Sequence, residues 1–143
     1  MSVVIDASII MAAVIPSEVS HHVANQALTV WSSTGTTLIA PPLLYAEVTA
    51  VLRKLSSTGR LTQMQAEHLL ETICALPIEI IHDIAVYETA LKLAHRHNLV
   101  RAYDTQYLAV AERLETIFWT ADRKFAHAVL LSHVRHIDDF EMP

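Results

Sequence analysis

Four of the 15 acidic residues in this 143-residue chain stand where solvation alone does not explain a carboxylate. Asp6 follows directly on the apolar run Ser2-Val3-Val4-Ile5, where an isolated ionised group is costly. Glu47 falls on the apolar stripe of a helix, three residues after Leu44 and four before Val51. Asp104 opens a helix and shares the stripe of Tyr107, Leu108 and Ala111. Asp122 follows Ile117-Phe118-Trp119 by three residues and heads the last helix. Each has a plain alternative: Asp6, Asp104 and Asp122 could cap helices, and Glu47 could pair with a core arginine or histidine. Brought together, four carboxylates repel one another and call for a cation. An all-oxygen donor set favours Mg²⁺ or Mn²⁺ over Zn²⁺. Such a site activates water and neutralises a leaving oxygen, which is the chemistry of phosphodiester hydrolysis.

Ser8 and Thr120, each two residues from one of these acids, are candidate supporting hydroxyls, although helix-terminal hydrogen bonding would account for them equally well. Arg101 precedes Asp104 by three residues, and Arg123 and Lys124 follow Asp122 directly. These cations could meet a substrate phosphate or simply be solvated.

The elements that must position these groups alternate between short apolar strands and helices. Strands are expected at Ser2–Ile5, Thr36–Ile39, Ile78–Ile81, Thr116–Trp119 and Val134–Ile137. Helices are expected over Ser8–Val14, His21–Trp31, Leu44–Ser56, from a Thr62 cap through Cys74, Asp83–His97, Tyr103–Leu114 and Arg123–Leu131. Thr62-Gln63-Met64-Gln65 fits a capping box, and Asp83 suits an N-cap. Continuous apolar strands separated by helices predict a parallel sheet covered on both faces, a three-layer α/β/α sandwich. Ligands of such sheets bind at the carboxyl ends of the strands. Three of the four acids lie just beyond a strand or open the following helix, and Glu47 sits in the first turn of a helix after a strand.

Composition narrows the class. A hydrophobic fraction of 52% with a mean hydropathy of +0.34 excludes disorder. No apolar stretch approaches the roughly 20 residues of a spanning helix, and the opening MSVVIDAS has no basic leader, so a cytoplasmic protein without a membrane anchor is expected. No repeat or linker divides the chain, which reads as one domain over residues 1–143. A single cysteine excludes an internal disulfide, and Cys74 reads as a small buried residue. The net charge of −5 opposes a nucleic-acid partner until metal is counted, since two divalent ions would bring it to −1.

Other signals are weaker. The nine histidines offer no HExxH frame, and His95 and His97 point to different helix faces. Glu67, Glu71, Glu112 and Glu115 suit solvated helix faces, and Asp138, Asp139 and Glu141 a solvated tail. Among Trp31, Trp119, Tyr45, Tyr103 and Tyr107, only Tyr103 suits base stacking, and Trp119 reads as core. A phosphoaspartate enzyme fits poorly, because Ser8 stands where the second acid of Asp-x-Asp would be.

VVIDAS at the start, Glu47 in AEVTAVLRKL, Asp104 in AYDTQYLAVA and Asp122 in WTADRKF resemble, in order and spacing, the acidic motifs of PIN-domain nucleases. The resemblance runs from Ser2 to about Ile137, and the segment from Glu47 through Pro77 is similar to VapC-type toxins. It implies a parallel five-stranded sheet and a Mg²⁺- or Mn²⁺-dependent ribonuclease. Asp6, Glu47, Asp104 and Asp122 would be metal ligands, directly or through water, with Ser8 and Thr120 in support. It also implies an RNA substrate, a cognate antitoxin covering the groove, and frequent homodimers. Many members carry Asn where this chain has Ser8. The competing reading is a non-catalytic PIN-like module that holds RNA or a protein.

Overall fold

The computed structural model describes residues 1–142. In chain order the elements are β1 (Ser2–Ile5), α1 (Ala7–Val14), α2 (His21–Ser33), β2 (Thr37–Ala40), α3 (Leu43–Ser57), α4 (Gln63–Cys74), β3 (Ile78–Ile80), α5 (Ile84–Arg96), α6 (Asp104–Arg113), β4 (Ile117–Thr120), α7 (Arg123–Val129) and β5 (Val134–His136). A 3₁₀ turn, Ile137–Asp139, follows. The five strands form one parallel sheet in the order β3-β2-β1-β4-β5, the expected α/β/α architecture. Strand order reverses between β1 and β4, which opens a crevice at their carboxyl ends.

Burial follows position in the sheet. Central β1 buries Val3, Val4 and Ile5, and β4 buries Phe118, Trp119 and Thr120, because helices cover both faces. Edge strand β3 is only partly covered. Ile9 and Ile10 of α1, Leu44 and Val48 of α3, and Tyr107 and Leu108 of α6 complete the centre of the core, all fully buried. Trp31, Trp119 and Phe140 form an aromatic cluster with ring centroids 5.5 to 6.0 Å apart, so Trp119 is core as expected. Among the described residues no helix is long and apolar enough to cross a membrane.

Several boundaries and placements differ from expectation. Helix α1 starts at Ala7 because Asp6 caps it, accepting from the Ile9 amide at 3.1 Å. Strand β4 runs on to Thr120, which is therefore a strand residue and not part of the following loop. Helix α7 stops at Val129, where Leu130 turns into the left-handed region at φ 50°. The capping box at Thr62 and Gln65 forms, and Asp83 caps α5 through the Ala85 amide at 2.8 Å. Cys74 is exposed, because amphipathic α4 turns Ile73 to the core and its neighbour outward. Asp138 is no free tail residue: its carboxylate accepts from Ser20 Oγ and Arg123 Nη2, both at 2.7 Å. Glu112 is half-buried, with His133 Nε2 4.0 Å away.

Candidate active site

The crevice is built around Asp6, which is 4% exposed. Its Oδ1 accepts from Ser8 Oγ at 2.5 Å as well as from the Ile9 amide, and its Oδ2 accepts from Thr120 Oγ1 at 2.5 Å. Both hydroxyls are held from behind by backbone beyond β4. The Ala121 amide donates to Ser8 Oγ at 2.7 Å, and the Asp122 amide donates to Thr120 Oγ1 at 2.9 Å. Each hydroxyl donates to the ionised Asp6, because a carboxylate can only accept. Burial nevertheless dominates these hydrogen bonds and pushes the Asp6 carboxyl up to about 7. The nearby charge of Asp104 adds to the rise.

Asp104 is the first residue of α6 and is partly buried. Burial, then repulsion from Asp122, raises its carboxyl above the ordinary range. Glu47 stands on the fifth residue of α3, at the start of the second turn and not in the first. Its Oε2 accepts from the Tyr107 hydroxyl at 2.5 Å, across from α6. Burial again raises its carboxyl, the Tyr107 bond opposes the rise, and Asp104 reinforces it. Burial, then that bond and repulsion from Glu47, drive the Tyr107 hydroxyl upward, so it stays a donor. Asp122 caps α7 through Oδ1 and the Phe125 amide at 3.0 Å.

All four carboxylates line one cavity of ≈ 540 Å³, to which Ser8 also contributes. Thr120 lies behind it, fully buried under Asp6. The cations Arg101, Arg123 and Lys124 are exposed and do not line the cavity. Arg123 turns instead to Asp138. Tyr103 is exposed, beside Asp104. Three contributors went unforeseen. Glu18 and Ser20 line the rim from the segment between α1 and α2, where no periodic pattern marks them. Tyr107 reads in sequence as one more core aromatic, and its ring does stack on Phe118 at 5.7 Å.

The cavity wall includes five acidic residues and no Lys, Arg or His. The proton affinities of Asp6, Glu47 and Asp104 are all raised, by burial first and by carboxylate repulsion in addition, and no cation in the wall offsets either. Among the described residues no three His, Cys, Asp or Glu side chains converge into a ready-made metal cage. The only charged donors of the wall are carboxylate oxygens, which suit a hard ion such as Mg²⁺ or Mn²⁺ better than Zn²⁺. The donor set therefore fits a hydrated Mg²⁺ or Mn²⁺.

Comparison with known proteins agrees with this architecture. The family model described as the PIN domain matches residues 3–130. No curated protein matches the chain. Among solved structures, PAE2754 from Pyrobaculum aerophilum is similar at a TM-score of 0.70 and 20% identity, over 96% of this chain and 93% of that one. VapBC2 from Rickettsia felis, described as bound to a DNA fragment from its promoter, gives 0.69 and 15% identity, over 95% and 98%. Mycobacterium tuberculosis VapC20, described as a Sarcin-Ricin loop cleaving toxin, gives 0.67 and 17% identity, over 88% and 94%.

Proposed function

From the fact that the chain belongs to the PIN domain family, and from the acids of its crevice, we infer a divalent-metal-dependent endoribonuclease, the toxin of a type II toxin–antitoxin pair. The observation that carries this reading is the cavity wall, lined by the carboxylates that cap α1 and α7 and by those on α3 and α6, without a single protein cation. Similarity to a protein described as a Sarcin-Ricin loop cleaving toxin supports the toxin role. The reading covers residues 1–143 as one nuclease domain of the cytoplasm, working with an RNA substrate, a cognate antitoxin and a second copy of itself.

Asp6, Glu47, Asp104 and Asp122 would hold Mg²⁺ or Mn²⁺, directly or through water. The bound ion would neutralise the scissile phosphate and make water a stronger nucleophile. The chain's own residues do the rest. Ser8 and Thr120 fix both oxygens of Asp6, so its geometry does not have to be found anew at each turnover. Tyr107 fixes Glu47 in the same way. One of the four carboxylates would accept the proton of the attacking water. Arg101, Arg123 and Lys124, exposed and outside the cavity wall, would be the cations available to flanking phosphates. Arg123 must exchange its Asp138 partner to do so.

The test is cleavage of mixed total RNA in Mn²⁺, in Mg²⁺ and in EDTA, with Asp104→Asn alongside. Discrete fragments that need metal and vanish in the variant are expected. Folded protein that cuts nothing in any metal would refute the enzyme and favour the non-catalytic module.

A further inference from the structure

His136, the last residue of β5, is 6% exposed and takes no part in the crevice wall. Both of its ring nitrogens are nevertheless engaged, and their partners fix its tautomer. Nε2 lies 3.1 Å from the Ala121 carbonyl oxygen, which can only accept, so Nε2 carries the proton and donates. Nδ1 accepts from the Asp138 amide at 3.2 Å, and Arg123 Nη2 lies 3.4 Å from the same atom. The Asp138 carboxylate in turn holds Ser20, at the rim of the cavity, and Arg123, the neighbour of Asp122.

Ala121 is the link between Thr120 and Asp122, and it is gripped from both sides. Its amide donates to Ser8 on α1, and its carbonyl accepts from His136 on β5. The Ser8 bond depends on the hydroxyl that also serves Asp6. The His136 bond anchors the same residue to a strand that does not otherwise touch the acids. It joins the Arg123–Asp138 pair and the Phe125 cap, which hold the far side of the turn, and it alone grips the Ala121 carbonyl.

We propose that His136 is a positioning residue: through the Ala121 carbonyl it sets the turn after β4, and so holds Asp122 where a divalent cation in the crevice can reach it. The inference rests on the nuclease reading for its consequence, and on the hydrogen bond from Nε2 to the Ala121 carbonyl for its mechanism. It predicts which replacement works. A glutamine amide reaches about as far as Nε2 and can donate to Ala121, whereas an asparagine amide reaches only about as far as Nδ1.

The experiment is calorimetric Mn²⁺ titration of metal-free wild type, His136→Gln, His136→Asn and Asp122→Asn, with urea unfolding in EDTA and amide hydrogen exchange at Ala121 and Asp122 on the same samples. His136→Asn is expected to weaken Mn²⁺ binding about tenfold, the scale on which outer partners of metal ligands act. His136→Gln is expected to stay within about threefold of wild type. Exchange at the two amides should be faster in His136→Asn than in His136→Gln when both are corrected for global stability. Equal Mn²⁺ affinity in the two His136 variants would overturn the proposal. Wild type that binds no Mn²⁺, or Asp122→Asn that binds it as tightly as wild type, would instead sink the metal-site reading. Amide exchange then judges His136 alone: a difference between Gln and Asn upholds the positioning role, and no difference overturns it.

Discussion

Asp6→Asn is expected to make the metal-free protein more stable at alkaline pH, and the structure sets the size of the effect. Burial lifts the Asp6 carboxyl from 3.8 to about 7. Between those values the native state holds a proton that the unfolded chain has released, so stability falls as pH rises from about 4 to about 7 and levels off above. At about 1.4 kcal/mol per pH unit, the loss attributable to Asp6 reaches about 4 kcal/mol. Asparagine cannot ionise and does not suffer it. Asparagine keeps an oxygen for Ser8 and the Ile9 amide but presents an NH₂ to Thr120 Oγ1, whose own hydrogen then loses its acceptor. That mismatch costs about 1 kcal/mol at every pH. The informative quantity is therefore the change with pH in the difference between variant and wild type. Urea unfolding in EDTA at pH 4 and pH 8 should show the variant gaining about 4 kcal/mol on wild type between the two, or about 10 °C in thermal midpoint. Glu47 and Asp104 shift in the same sense but are common to both proteins and cancel. A difference that stays constant within about 0.5 kcal/mol, or runs the other way, would refute the picture of an uncompensated buried carboxylate.

Two further predictions concern residues that sequence alone placed poorly. Tyr107→Phe keeps the ring against Phe118 and removes only the hydroxyl bonded to Glu47. It should cost about 1 kcal/mol in unfolding experiments, while single-turnover RNA cleavage, with Glu47 released, drops by about tenfold. Cys74 is exposed at the end of α4, so a thiol reagent should label the native protein in one fast phase and leave cleavage unchanged. Labelling that waits on denaturant would restore the buried reading.

How much was legible follows from what local sequence can encode. Apolar runs as dense as Val3-Val4-Ile5 and Ile117-Phe118-Trp119 admit few alternatives to central strands, and the Thr62–Gln65 capping box is a purely local device. Strands and caps together place Asp6 and Asp122 at strand ends, and helical periodicity places Glu47 and Asp104 on inward faces. The bond from Tyr107 to Glu47 spans 60 residues and depends on how closely α3 approaches α6, which no window of sequence contains. Asp138 looked like a solvated tail for the same reason: its partners, Ser20 and Arg123, lie 118 and 15 residues away. Cys74 was misplaced because the helix end offered two neighbouring candidates for the inward face, and Ile73, the larger hydrophobe, took it.

Helix capping and a catalytic role look like competing explanations for the acids in sequence, but in the folded chain capping is what would let a metal site form. A carboxylate free to swing would relieve its repulsion from the others by turning to water. Asp6 cannot, because the Ile9 amide and two hydroxyls hold both of its oxygens, and Asp122 is restrained through Oδ1 by the Phe125 amide. The caps recover about 1 kcal/mol each of the stability that burial and mutual repulsion remove. What they leave is a fixed negative field, felt in the raised carboxyls of Asp6, Glu47 and Asp104. A divalent cation relieves that field most effectively, and its binding should stabilise the fold by as much as the site has cost it.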